Sequence, residues 1–289
     1  MKKLVISICL LFLLTGCGPR LVYPHLDWLI PFYVDDYISL NREQDSMLEK
    51  RLFQVLDWHC RTQLPAYAQS LRGLAQDLDN PRQLVSYQKL GYYSDQFIAH
   101  WRELLKNIGP EMADILATAS DEQIAELFGN LERRIIEYKS EYVDISLEKL
   151  EEKRKARMAN DLGHWVSRLK TEQTQMVSDW SDQILPIAAD GLKFREAALT
   201  EFQNLITRQR QHPHFKAVFV SLLNNLNQLR TPEYQWKIEY NTDLTFTLLM
   251  NIEQSLSTTQ RKYLLQKIFS LAADFDKLSC DPVKIKPKE

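Results

Sequence analysis

Apolar residues recur along most of the chain with the spacing of amphipathic helices, and the alternation typical of strands is nearly absent. The clearest stretch lies between residues 120 and 160, where apolar positions alternate spacings of four and three over three heptads. The positions are Ile124, Phe128, Leu131, Ile135, Tyr138, Tyr142 and Ile145. This pattern predicts one long helix, whose second half stands in solvent. The apolar stripe suits either a coiled-coil partner or another helix of the same chain, and we favour the second.

The other helix signals follow the same period. Leu64-Pro65 predicts a break or restart, and Gly109-Pro110 predicts the end of a helix that begins near Arg82. Further helices are expected at about 187–210, 213–229, 233–255 and 258–278. Only 8 glycines occur in 289 residues, which also favours helix. We therefore expect an all-α fold, an elongated antiparallel helical bundle of about nine or ten helices.

A weak internal repeat has the spacing Leu-x3-Gln-x3-aliphatic. Its copies are Leu40–Leu48, Leu169–Val177, Leu256–Leu264 and the degenerate Ala119–Leu127. Asn41, Ser120, Thr171 and Ser257 are placed to cap the first turn of a helix in each copy. The pattern resembles the LTxxQ motif of periplasmic envelope-stress chaperones and sensors. Independent helix starts explain the recurrence more simply than a shared function does.

The N-terminus carries a cationic start and an apolar run, Leu4 to Leu14, that is too short to span a bilayer. The tetrapeptide Leu14-Thr15-Gly16-Cys17 that follows resembles the lipobox of bacterial lipoproteins. The resemblance implies that residues 1–16 are a removed signal peptide. It also implies that Cys17 becomes the acylated first residue, carrying three acyl chains. Two or more chains hold a protein stably on a membrane.

The residue after the cysteine is Gly18, which by the same resemblance implies sorting to the outer membrane, facing the periplasm. Together with LDWLIPFYVDDYISLNREQ and WHCRTQLPAYA, the lipobox resembles an uncharacterised family of Gram-negative all-helical lipoproteins. That resemblance implies no activity. The expected organisation is a lipid-anchored tether and aromatic segment over 17–38, a helical domain over 39–280 and an extended tail over 281–289.

The aromatic segment contains Trp28, Phe32, Tyr33 and Tyr37. Amphipathic rings of this kind settle at the headgroup level of membranes. The alternative is that the segment packs on its own domain, and we favour this alternative.

Four cysteines reduce to two in the mature chain, because Cys9 leaves with the signal and Cys17 carries lipid. In an oxidising periplasm, Cys60 and Cys280 are expected to form a disulfide. Two buried, unpaired thiols are the alternative. His59 beside Cys60 suggests an activated thiolate, an interpretation that a disulfide would exclude.

The net charge and the motifs of the sequence disfavour several classes of function. Removing Lys2 and Lys3 with the signal leaves 34 Lys and Arg against 38 Asp and Glu, a net charge near −4. We therefore expect no nucleic-acid partner. No nucleophile, metal or phosphate-loop motif is recognisable, and His212 and His214 alone make a poor metal site. We expect no catalysis, cofactor, metal or small-molecule substrate.

The leading hypothesis is a lipid-anchored scaffold or interaction protein that contacts other envelope proteins through the long helix. Its candidate contact residues are Glu137, Glu141, Glu148, Glu151 and Lys155, and the spacing of the last two permits an ion pair. The alternative is a chaperone-like or envelope-stress module with LTxxQ-like helix starts.

Overall fold

The computed structural model describes residues 18–80 and 84–280. The signal peptide, the predicted lipidation site Cys17 and the tail 281–289 lie outside the described residues. Within the described ranges the chain is helical and contains no strand, so the all-α prediction is confirmed. No helix there is long and apolar enough to cross a membrane.

A helical turn, Pro19–Val22, and a 3-10 turn, Tyr23–His25, precede the longer helices. The first helices are α1 Leu26–Asp35, α2 Arg42–Trp58, α3 Leu64–Asp79, α4 Tyr87–Ala117, α5 Asp121–Tyr142 and α6 Leu147–Val166. They are followed by α7 Thr171–Gln183, α8 Ala188–Gln209, α9 Phe215–Asn224, α10 Pro232–Ser255 and α11 Thr258–Leu278. A π-helical turn, His59–Gln63, joins α2 to α3 without a loop.

The core forms between helices that are distant in sequence. The most extensive contact joins α3 to α11, and α4 packs on α9, α5 on α8 and α7 on α10. The largest buried cluster includes Phe128 of α5, Leu205 of α8 and the α9 residues Phe215 and Phe219. The heptad stripe of α5 therefore packs against helices of its own chain, as we favoured, and Tyr138 donates a hydrogen bond to the Ala188 carbonyl (3.2 Å).

The predicted long helix over residues 120–160 is wrong, because the chain breaks between α5 and α6. Ser146 starts a new helix there, and its hydroxyl accepts a hydrogen bond from the Lys149 backbone N–H (3.3 Å). α6 does not stand free in solvent but packs on α7 and α11. Arg154 of α6 donates to the Ser181 hydroxyl and carbonyl at 2.9 and 2.7 Å, which holds α6 to α7.

Of the two helix boundaries predicted from prolines, one is confirmed and one is wrong. Leu64-Pro65 marks a restart, because Pro65 occupies the first turn of α3 after the π-helical turn. Gly109-Pro110 does not end a helix, since both residues lie inside the 31-residue α4. An interior proline removes one backbone hydrogen bond, and the packing of α4 on α9 offsets that loss. Gly109 permits the close approach, because a Cβ there would lie 3.2 Å from the Leu223 side chain.

Candidate functional site at the N-terminal end of the fold

The π-helical turn and the end of α11 meet at one end of the molecule. Cys60 of the turn and Cys280, just after α11, form a disulfide with their Cα atoms 5.2 Å apart. The Cys280 backbone N–H also donates to the Cys60 carbonyl (3.2 Å). The predicted disulfide is confirmed.

Small residues bring α3 and α11 close together beneath this disulfide. Ala68 and Ala272 are both fully buried and lie in one cluster with Cys60, Leu64 and Phe275. Because alanine has only a methyl group, two helices can approach each other more closely at such positions. The disulfide thus covers a tightly packed helix pair.

The N-terminal residues pack on the same end. Pro19 is buried, and a Cβ at Gly18 would lie 3.6 Å from a carboxylate oxygen of Asp274 in α11. Arg20 forms an ion pair with Asp274. The segment expected to be a tether therefore contacts the folded body from residue 18 onward.

His59 lies at the centre of an aromatic group at this end. The hydroxyls of Tyr23 and Tyr67 lie 3.1 and 3.4 Å from its two ring nitrogens. Burial lowers the pKa of His59 to about 4 and raises that of Tyr67 to about 12, so both are neutral at physiological pH. Since Cys60 is bonded to Cys280, the activated-thiolate interpretation is excluded.

The aromatic residues of α1 face outward. Leu21, Trp28, Phe32 and Tyr33 are 63, 58, 60 and 51% exposed, and α1 contains no buried residue. The favoured expectation that this segment packs on its own domain is therefore wrong for these three rings. Tyr37 differs, because it is half-buried with the Arg134 guanidinium over its ring.

The five candidate contact residues do not lie on one helix. Glu137 and Glu141 belong to α5, whereas Glu148, Glu151 and Lys155 belong to α6.

Ion pairs within the chain engage three of these residues. Glu137 pairs with Arg134 (3.1 Å), Glu141 pairs with Lys153 across the break (3.7 Å), and Lys155 pairs with Asp182 of α7 (2.7 Å). The expected ion pair of Lys155 with Glu151 is thus replaced by one that joins two helices.

His212 and His214, which we expected to make a poor metal site, are exposed in the turn between α8 and α9. The rings of His212 and His214 have centroids 5.4 Å apart. In residues 18–80 and 84–280, no group of three or more His, Cys, Asp or Glu side chains is arranged to hold a metal ion.

The glutamines of the four repeat copies meet in two pairs, which sequence reasoning missed. The side-chain amides of Gln44 and Gln123 bond each other at 3.1 and 2.7 Å. Those of Gln173 and Gln260 do the same at 3.2 and 2.8 Å. Each glutamine oxygen also accepts from the N-cap backbone N–H of its own helix, at 2.9 to 3.1 Å.

Each glutamine nitrogen also donates to the residue five positions before its partner. These acceptors are the carbonyls of Thr118, Ser39 and Arg168 and the hydroxyl of Ser255. Three of the four predicted N-caps are confirmed. Thr171 is not one, because it is the first helical residue and the N-cap is Lys170.

The two glutamine pairs occupy equivalent positions in the first and second halves of the chain. One pair joins the starts of α2 and α5, and the other joins the starts of α7 and α11. α5 then packs on α8 of the second half, and α11 packs on α3 of the first half. α5 and α11 each carry the second glutamine of a pair, while α3 and α8 each follow the helix that carries the first glutamine. The α5–α8 and α11–α3 contacts are therefore equivalent.

No curated protein and no solved structure matches the chain. A family model described as a family of unknown function, DUF6279, matches residues 36–235, which extend from the end of α1 into α10. This match covers more than half of the 289 residues, so the chain belongs to the DUF6279 family.

Proposed function

We propose that this chain is a lipid-anchored, non-enzymatic interaction protein of the outer membrane, facing the periplasm. The observation that carries the proposal is the lipobox-like Leu14-Thr15-Gly16-Cys17, which is followed two residues later by a turn, Pro19–Val22, that packs on α11. The Cys60–Cys280 disulfide supports an oxidising compartment, because such bonds persist there and are rare in reducing ones.

The corner between α5 and α6 is the surface that best suits a protein partner. Ile136 and Leu147 are large, exposed apolar residues on either side of the corner, and Glu137 and Glu148 adjoin them. Apolar side chains rimmed by charged residues are typical of interaction surfaces. The corner replaces the continuous helix expected from the sequence.

The anchoring is tested by fractionating cells that produce the wild-type chain or Cys17→Ala. We expect the wild type to stay with the membrane after a salt wash and to show an acylated N-terminal Cys17 by mass spectrometry. The variant should lack the acyl mass. An unmodified wild-type N-terminus, or release by salt, would contradict the anchoring.

The partner surface is tested by placing a photo-crosslinking residue at Glu137 or Glu148, with exposed Gln175 of α7 as the matched control. We expect one discrete product at the two corner positions and none at the control. Equal products at all three positions, or none anywhere, would contradict the corner as an interface.

The paired glutamines favour a second candidate, a chaperone-like module. Their arrangement supports it because the LTxxQ-like copies are joined to one another instead of acting as four independent helix starts. This candidate requires suppression of client aggregation at near-stoichiometric ratios. A protein that leaves aggregation unchanged would not belong to this class.

A further inference from the structure

We propose that Leu21, Trp28, Phe32 and Tyr33 form a docking face that rests in the headgroup region of the membrane that holds the lipid. This inference rests on the proposed acylation of Cys17. It adds that the folded body lies directly against the bilayer in a fixed orientation instead of hanging from a flexible linker.

The short distance between the anchor and the body supports this orientation. Cys17 immediately precedes Gly18, and consecutive Cα atoms are about 3.8 Å apart. The turn Pro19–Val22 that follows packs on α11, and a Cβ added at Gly18 would lie 3.6 Å from a carboxylate oxygen of Asp274. Pro19 is buried and Arg20 pairs with Asp274, so no free segment remains between the anchor and the body. Acyl chains on Cys17 would therefore hold this end of the molecule at the membrane surface.

The docking face lies next to that attachment point. Residues 19 to 35 are helical apart from one 3-10 turn, and a helix rises about 1.5 Å per residue. Trp28 is therefore at most about 15 Å from Pro19 along the chain. Trp28 and Phe32 are four residues apart in α1 and share one face of that helix. The exposed rings are thus presented where the bilayer begins.

The chemistry of the face fits lipid better than a charged partner. Tryptophan and tyrosine combine an apolar ring with a polar group, and they concentrate at membrane–water interfaces. The neighbouring residues Asp27 and Asp35 are acidic, and the charge of Arg20 is offset by Asp274. Attraction to anionic lipid is therefore not the driving force, so neutral lipid suffices and salt should have little effect.

Proximity also selects the bilayer as the occupant over a protein. A lipid anchor keeps the membrane at a high effective concentration beside any nearby apolar face. The exposed stacked pair Trp236 and Tyr240 on α10 has no such link to Cys17. This pair is the natural control for the docking face.

The test uses the natively acylated chain in neutral phosphatidylcholine vesicles, with and without lipids brominated near the glycerol end of the acyl chains. Bromine quenches tryptophan fluorescence only at short range. We compare the wild type with Trp28→Phe and with Trp236→Phe, whose tryptophan is similarly exposed at 55%. All three proteins should unfold at the same urea concentration, because both positions are exposed.

We expect all three proteins to float with the vesicles. Bromine should quench the wild type and Trp236→Phe equally, and most of the quenching should be lost in Trp28→Phe. Flotation with the same quenching in Trp28→Phe as in the wild type, or with no quenching at all, would overturn the docking face alone. Failure of the wild type to float would overturn the anchoring and the docking face together.

Discussion

His59 occupies a buried site in which both ring nitrogens face tyrosine hydroxyls. No carboxylate is within hydrogen-bonding distance of the ring in the described structure, so nothing there favours the protonated form. Burial accordingly lowers its pKa to about 4, well below the usual value of about 6.5. The residue thus serves as a neutral link between Tyr23 near the anchor and Tyr67 of α3.

We expect the free energy of unfolding to fall as the pH drops from about 6.5 to about 4. The unfolded state binds a proton at this histidine first, so acid favours unfolding, by up to about 3 kcal/mol for a shift of this size. Urea unfolding at a series of pH values measures the effect. His59→Gln should flatten the profile, whereas His212→Phe in the exposed turn should keep the wild-type profile. Parallel profiles for His59→Gln and the wild type would contradict the assignment.

Single residues whose roles are local could be predicted from the sequence. Asn41, Ser120 and Ser257 cap helices as their side chains suggest, because a cap depends only on the adjacent turn. At Thr171 the prediction failed by one position, since the glutamine of that copy requires its N-cap three residues earlier, at Lys170. The exposure of Trp28 was not predictable, because it depends on where distant helices leave room.

At the scale of helices, the glutamine pairs join helix starts that are 79 and 87 residues apart in sequence. Each pair satisfies its amide groups completely, since every oxygen accepts at least two hydrogen bonds and every nitrogen donates at least two. Gln173 is fully buried and Gln260 nearly so, which makes their pair the more costly to disrupt.

Replacing Gln173 with alanine should lower the free energy of unfolding by about 2 kcal/mol, because the Gln260 amide loses its buried partner. Gln175→Ala, two residues away on the exposed side of α7, should cost no more than about 0.5 kcal/mol. Urea unfolding of both variants measures the difference. Equal losses would show that the paired amides contribute no more than an exposed glutamine.

The sequence predicted that the glutamines recur, but it could not predict that they meet. Periodicity reports the face of a helix that is buried, and the α5 stripe was correctly placed on that basis. Which elements face each other is a long-range property. The helix start at Ser146 was missed for a local reason, because a single serine between Ile145 and Leu147 gave only a weak capping signal.

At the scale of the whole molecule, the disulfide connects residues 220 positions apart, and so closes the chain from the π-helical turn to the end of α11 into one loop. In the entropic model, a loop of this length restricts the unfolded chain enough to stabilise the fold by up to about 5 kcal/mol.

We therefore expect reduction of the wild-type protein to lower the midpoint of urea unfolding substantially. The double variant Cys60→Ala, Cys280→Ala should resemble the reduced protein and should not respond to reductant. A wild-type midpoint that is unchanged by complete reduction, verified by thiol counting, would contradict a stabilising role for this bond.

The pairing of Cys60 with Cys280 was predictable, because the expected removal of Cys9 and acylation of Cys17 leave no other partners. The packing of the turn Pro19–Val22 on α11 near that bond was not predictable, because it depends on the ion pair of Arg20 with Asp274, more than 250 residues away.

The contact between α3 and α11 also dictates an order of events. α3 ends at Asp79, yet the helix that covers it begins only at Thr258. Contacts between such distant segments form slowly, since long loops must close first. The face of α3 that α11 covers therefore stays exposed until α11 has been synthesised and has folded back onto it, and a chain cut before Thr258 would leave this face uncovered permanently.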